Sequence, residues 1–190
     1  MAKVLIFGAT GMLGHKLYQV LAPIFDTTGT IRGPYRNISK YNFFQQSPIV
    51  PDVDVLEISR VEKVIEETSP DVLINCIGMV KSLEHQKGVL LNIWLNSLFS
   101  HQLYQICQAK GIRLIHISTD CVFSGKTGHY REDAPSDAED IYGKTKYLGE
   151  VNGASALTIR TSIIGRELAS INGLLEWFLT NQGGRVNLIN

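Results

Sequence analysis

Long apolar runs, an excess of charge of one sign and paired cysteines are all missing from this chain, and each absence removes a class of function. No apolar stretch approaches the ~18 residues of a membrane helix, so no membrane partner is expected. Basic and acidic side chains balance at 18 each, which takes away the electrostatic basis for holding nucleic acid or an anionic bilayer. The three cysteines, Cys76, Cys107 and Cys121, are an odd number without paired-ligand spacing. They predict neither a disulfide framework nor a zinc site, and leave reduced, mostly buried thiols. The five histidines show no metal spacing either, and His116, set in an apolar strand, reads as a packed core residue. There is no internal repeat and no low-complexity tract. A strand already under way at Val4 leaves no room for a secretion signal, and a cytoplasmic location is expected.

What remains is a 190-residue chain, 44% hydrophobic, able to bury one good core. Val4-Leu-Ile-Phe7 runs into Gly8-Ala-Thr-Gly11-Met-Leu-Gly14, and Leu13, Leu17, Val20 and Leu21 then recur at helical spacing. This predicts a buried parallel strand, a glycine turn and a helix. In such a unit Gly8 permits the tight turn, Gly11 lets the backbone approach a pyrophosphate, and Gly14 lets the helix pack closely on the sheet. The helix N-terminus then offers N–H groups and positive dipole to phosphates.

Further strands are predicted near Thr27–Ile31, Val53–Leu56, Asp71–Ile77, Ile112–Ser118 and Leu157–Ile163. Helices are predicted at Val61–Thr68, Gly88–Lys110, Tyr142–Val151 and Ile171–Leu179, and Arg36–Pro51 reads as a loop with one short helical turn. The alternation specifies an α/β fold with a doubly wound parallel sheet, and a ligand at the strands' carboxyl ends. Polar residues collect at those ends: Asn75-Cys-Ile-Gly78, Ser118-Thr-Asp-Cys-Val-Phe-Ser-Gly125 and Arg160-Thr-Ser162.

Tyr142 and Lys146 stand four apart on a predicted helix, which sets a phenol and an ammonium on one face. A neighbouring cation stabilises phenolate, so the pairing is expected to lower the pKa of Tyr142. With a Thr or Ser hydroxyl beside it, the phenol could deliver a proton to a substrate carbonyl while a hydride arrives from a nicotinamide.

Gly8-x-x-Gly11-x-x-Gly14, Ser118-Thr-Asp-x-Val-Phe-x-Gly125 and Tyr142-Gly-Lys-x-Lys146 with Gly149-Glu150 resemble the extended short-chain dehydrogenase/reductases. Within them the chain is most similar to the dTDP-4-dehydrorhamnose reductase family of nucleotide-sugar reductases. The resemblance implies a Rossmann domain, residues 1–163, and the start of a truncated substrate-binding region, 164–190, with most of the family's smaller C-terminal domain missing. It implies Thr119, Tyr142 and Lys146 as the catalytic set, Lys146 also bonding the nicotinamide ribose. It assigns Gly8, Thr10, Gly11, Met12 and Leu13 to the dinucleotide turn, Asp54 and Val55 to the border of the adenine, and Cys76, Ile77 and Gly78 to the cofactor lining. Asn96 matches an asparagine of the long fourth helix, tied to proton relay and local geometry, and reads equally as a polar residue at a helix kink. A nucleotide sugar is the implied substrate, and a homodimer is the candidate assembly.

The cofactor follows from the end of the second strand, where a carboxylate would bond the ribose hydroxyls and an arginine a 2′-phosphate. Thr30-Ile-Arg32 has no carboxylate, which favours NADP over NAD, with Arg32 as phosphate partner and Arg36 as a second. Two features depart from the family: Cys121 replaces a tyrosine, and Asn75-Cys-Ile-Gly78 replaces an alanine-rich strand end. The expected activity is NADP-dependent reduction of the 4-keto group of a nucleotide-linked deoxysugar, as in polysaccharide biosynthesis. The alternatives are an NAD-dependent epimerase or dehydratase, and a dinucleotide-binding regulatory subunit without turnover, like that of methionine adenosyltransferase.

Overall fold

The computed structural model describes residues 1–79, 88–168, 173–181 and 183. Strands β1 (Lys3–Phe7), β2 (Asp26–Thr30), β3 (Ile49–Val50), β4 (Val72–Asn75), β5 (Arg113–Ile117) and β6 (Ala156–Ile159) form a wholly parallel sheet in the order β3-β2-β1-β4-β5-β6. The helices are α1 (Met12–Leu21), α2 (Ile58–Thr68), α3 (Val89–Ile93), α4 (Phe99–Lys110), α5 (Ile141–Leu148) and α6 (Leu174–Thr180). A π-helical turn, Trp94–Leu98, joins α3 to α4. This is the expected Rossmann-like α/β fold. Among the described residues no helix is long and apolar enough to cross a membrane.

The period-two alternation of a strand covered on both faces is visible in β1. Leu5 and Phe7 join a core with Val61, Val64 and Ile65 of α2 and Phe99 and Leu103 of α4. Val4 and Ile6 face the other way, onto Tyr18 of α1, Ile31, Phe44 and Ile74. Burying each such side chain stabilises the fold by roughly 1.5–3 kcal/mol. The order of strands reverses between β1 and β4, and their carboxyl ends bound the crevice where such sheets hold ligands.

The third strand is not where the sequence pattern puts it. Val53–Leu56 is irregular, and the ladder to β2 is made instead by Ile49 and Val50, opposite Gly29 and Thr30. Pro51 cannot extend the ladder, and Asp52 takes a positive φ of 55°. The alternating Val53 and Val55 are buried all the same, as loop residues reaching into the core. The stretch expected to be a loop with one helical turn carries two 3₁₀ turns, Tyr35–Asn37 and Asn42–Gln45, besides β3. Its aromatic residues pack together, Phe43 on Phe44 at 4.4 Å and Phe44 on Tyr18 at 5.3 Å between ring centroids. Helix α2 starts three residues before its expected position, α5 stops at Leu148, and β6 ends at Ile159. The expected first residue of the last helix, 171, lies outside the described residues. Of the three free cysteines only Cys107 is fully buried; Cys76 and Cys121 are partly exposed. His116 is fully buried, as expected.

Candidate functional site

Strand β1 ends at Gly8, whose φ of +83° lies in the left-handed region that side chains resist. At Gly14 a Cβ would lie 2.1 Å from the Gly8 carbonyl oxygen, so glycine is what lets α1 press against the strand end. Gly11 is different. A Cβ there would meet nothing closer than Gly8 O at 3.4 Å, so the space beyond it is free for a ligand. Gly11 caps α1, whose first turn carries no acidic residue, and the positive end of the helix dipole faces that space.

A cleft of about 650 Å³ opens over these strand ends. Gly8 and Thr10 line it at the glycine turn, Arg32 at the end of β2, Asp54 and Val55 after β3, and Ile77 and Gly78 after β4. Gly11, Met12, Leu13, Cys76, Asn96, Tyr142 and Lys146 are not in its lining. The Met12 side chain packs against Gly165 and Gly173 instead. Arg32 is exposed, and among the described residues no carboxylate lines its end of the cleft apart from Asp54, whose Oδ1 accepts from the backbone N–H of Leu56 at 3.0 Å. Arg36 is exposed and stands outside the cleft.

Helix α5 carries Tyr142 and Lys146. Asp140 caps it by accepting from Gly143 N–H at 2.7 Å. A Cβ on Gly143 would lie 2.3 Å from the Cys121 carbonyl oxygen, so this glycine allows the helix to seat directly on the 3₁₀ turn Asp120–Val122. That contact brings the Tyr142 phenol beside Thr119, whose hydroxyl accepts from Cys121 N–H at 3.1 Å and donates to Asp120 Oδ1 at 3.3 Å. Lys146, 4% exposed, donates from Nζ to Ile117 O at 2.6 Å, and a Cβ on Gly78 would lie 3.4 Å from that Nζ. The expected catalytic set therefore meets at the end of β5, with Lys146 against the end of the cleft marked by Gly78.

The protonation states differ from the expectation. Burial raises the pKa of Tyr142, against the effect of the neighbouring Thr119 hydroxyl, and Asp120 and Asp140 add to the rise. The expected lowering by Lys146 does not occur; Lys146 is itself desolvated and pushed down to about 8, against the pull of Glu150 and Cys76. Asn96 is fully buried on the π turn. Its Oδ1 accepts from Met79 N–H at 2.7 Å and its Nδ2 donates to Thr145 Oγ1 at 3.1 Å. It thus ties the cleft-lining loop to α5 at a helix irregularity.

Sequence reading passes over several residues of the site. Asn37, Ile38 and Tyr41 complete the Arg32 end of the cleft, together with Leu168, whose carbonyl accepts from the Tyr41 hydroxyl. A second cavity of about 460 Å³ lies beyond Thr119, lined by Asp120, Cys121, Phe123, Tyr130 and Arg160, among others. Phe123 stacks on Tyr130 at 4.4 Å, and the Arg160 guanidinium lies 5.0 Å from the Phe123 ring centroid. The polar ends of the fifth and sixth strands, Ser118–Gly125 and Arg160–Ser162, are the sequence signals that touch this wall.

The profile of the family described as RmlD substrate binding domain matches residues 2–171. Among curated relatives, dTDP-4-dehydrorhamnose reductase of Streptomyces griseus is 31% identical over 152 residues, 77% of this chain and 43% of the relative. Methionine adenosyltransferase 2 subunit beta of Xenopus laevis is 27% identical over 166 residues, 85% of this chain and 47% of the relative. The chain thus spans about half the length of the curated relatives it matches. The crystal structure of dTDP-4-dehydrorhamnose reductase from Bacillus anthracis, in complex with NADP, superimposes with a TM-score of 0.65 at 26% identity, covering 84% of this chain and 53% of that one.

Proposed function

Since the chain belongs to the RmlD substrate binding domain family, we propose that it is the cofactor-binding and proton-donating part of a reductase of the short-chain dehydrogenase/reductase type. Its substrate is the 4-keto group of a nucleotide-linked deoxysugar. The observation that carries this reading is the placement of Thr119, Tyr142 and Lys146 around the end of β5, with Gly78 of the first cleft against Lys146 and Asp120 of the second cavity next to Thr119.

The cleft fits a phosphorylated dinucleotide by its own chemistry. A left-handed Gly8, a helix N-terminus without acidic residues and the exposed Arg32 cation suit the pyrophosphate and a 2′-phosphate. NADP would supply the hydride. Tyr142 holds the proton for the carbonyl oxygen, a role its raised pKa supports by keeping the phenol protonated at neutral pH. Thr119 donates a hydrogen bond to the same oxygen, and Lys146 brings positive charge toward the oxyanion that forms there. The aromatic and cationic wall of Phe123, Tyr130 and Arg160 bounds the space for the sugar.

The test is turnover of a dTDP-4-keto-6-deoxysugar with NADPH, supplied with whatever polypeptide completes the substrate side. Tyr142→Phe should lower turnover by about 10²–10⁴-fold and leave NADPH affinity nearly intact. Unchanged turnover in that variant refutes the assignment. A second reading, a dinucleotide-binding regulatory module, is favoured by the likeness to methionine adenosyltransferase 2 subunit beta. NADPH binding without turnover of any keto-sugar nucleotide would select it.

A further inference from the structure

Thr30 is the last residue of β2, and strand alternation fixes the way it faces. Gly29 and Ile31 turn toward Tyr18 of α1, so Thr30 turns to the opposite face, where Val53 and Ile77 line the cleft with it. Its side chain is withdrawn from water, the residue being 2% exposed. The Gly8 N–H donates to its Oγ1 at 3.4 Å, and the Ala9 N–H donates to its carbonyl oxygen at 2.9 Å. One threonine thus seats two consecutive N–H groups of the glycine turn.

A hydroxyl accepts through its lone pairs and has one hydrogen to give. Gly8 uses a lone pair and leaves that hydrogen free. Among the described residues no acceptor takes it, and burying such a donor unpaired is unfavourable. The space beside it is the cleft. There Thr30 stands between the glycine turn, where α1 begins without an acidic residue, and Arg32 two residues further on. A ligand group that reaches this hydroxyl must be an acceptor, and the acceptors of a dinucleotide between those two points are the oxygens of its phosphate–ribose chain.

We propose that Thr30 is a cofactor-binding residue: its hydroxyl accepts from the Gly8 N–H and donates to a phosphate or ribose oxygen of the bound dinucleotide, so that one side chain joins the ligand to the glycine turn. The inference rests on the reading of the cleft as a dinucleotide site. Its selectivity differs from that of Arg32. The oxygen that Thr30 bonds is common to NADPH and NADH, whereas a 2′-phosphate belongs to NADPH alone. The two hydrogen bonds run in series through one oxygen, and each polarises the other.

The test is calorimetry of the 190-residue chain with NADPH, NADH and 5′-ADP, in the wild type, Thr30→Val and Thr30→Ser. Valine keeps the branched shape and removes the hydroxyl, and serine keeps the hydroxyl. Thr30→Val should weaken all three ligands by a similar factor of roughly five to ten, and Thr30→Ser by less than about twofold. Wild-type affinity in Thr30→Val, or an equal loss in Thr30→Ser, overturns the proposal. A wild type that binds none of the three ligands fails the dinucleotide reading itself. Amide spectra of the free proteins separate a ligand contact from a seat for the turn. Weaker binding with the Gly11 and Gly14 amide shifts unmoved supports the contact, and weaker binding with those shifts displaced overturns it. The 2′-deoxy and 3′-deoxy forms of ADP identify the acceptor: a Thr30→Val penalty that vanishes with one of them assigns it to that ribose oxygen, and a penalty kept with both assigns it to the pyrophosphate. If Thr30→Val does not fold, Thr30→Ala takes its place under the same criteria.

Discussion

Acid should destabilise this protein through one buried imidazole. His116 lies in the middle strand of the C-terminal half of the sheet with no exposed surface. Its Nδ1 accepts from Asn75 Nδ2 at 3.2 Å, because the Asn75 Oδ1 is already taken by the N–H of Ile77 at 3.0 Å. Among the described residues its Nε2 has no hydrogen-bond partner. A proton on the ring would set two donors against each other and leave a charge unpaired in the core, and burial accordingly pushes the pKa from 6.5 down to about 3. The unfolded chain binds this proton below about pH 6.5 and the folded one only near pH 3. Stability from this group is therefore complete above pH 6.5 and falls as the pH drops toward 3. Between pH 7 and pH 5 the loss is about 2 kcal/mol, or a urea midpoint lower by roughly 0.7–1 M for a domain of this size. Urea unfolding of the wild type and of His116→Gln at both pH values checks it. Glutamine keeps an acceptor for Asn75 and cannot titrate, so its loss over the same interval should be smaller by about 2 kcal/mol. Parallel losses in the two proteins would refute the reasoning.

Gly14→Ala must displace either α1 or the Gly8 turn, since its methyl would stand 2.1 Å from a carbonyl oxygen; a cost of about 1–3 kcal/mol and a lower melting temperature are expected. Gly11→Ala meets no such obstacle at 3.4 Å, so its melting curve should stay close to wild type while NADPH binding, followed by calorimetry, weakens by at least about tenfold. Equal melting temperatures for Gly14→Ala and the wild type would contradict the packing argument, and normal NADPH binding by Gly11→Ala would remove the pyrophosphate from this turn. Arg32→Ala should weaken NADPH by roughly 1.5–3 kcal/mol and NADH far less. Equal effects on the two dinucleotides would dismiss Arg32 as the phosphate partner.

The first strand, its glycine turn and α1 were legible because their signals are local: four apolar residues, three glycines and a helical period lie within twenty residues. The third strand was not, because nothing local marks it. Ile49 and Val50 pair only because Gly29 and Thr30 lie beside them, while the stronger alternation of Val53 and Val55 comes from loop residues that the core happens to receive. Arg36–Pro51 misled for a related reason. Two 3₁₀ turns have no 3.6-residue period, and Tyr41, Phe43 and Phe44 find their partners in one another and in Tyr18.

The candidate site divides along the same line. Spacing puts Tyr142 and Lys146 on one helix face and predicts a lowered phenol pKa. Gly143 decides the outcome: its bare Cα lets α5 sink onto the Cys121 carbonyl, with Lys146 buried and Tyr142 partly so. Depth then raises the phenol and lowers the ammonium, each toward its neutral form. A motif fixes which groups share a face, whereas desolvation depends on what the fold lays over them. For a proton donor the correction helps the proposed chemistry, since a phenol that keeps its proton at neutral pH has one to give, and a lysine near 8 is still mostly charged there.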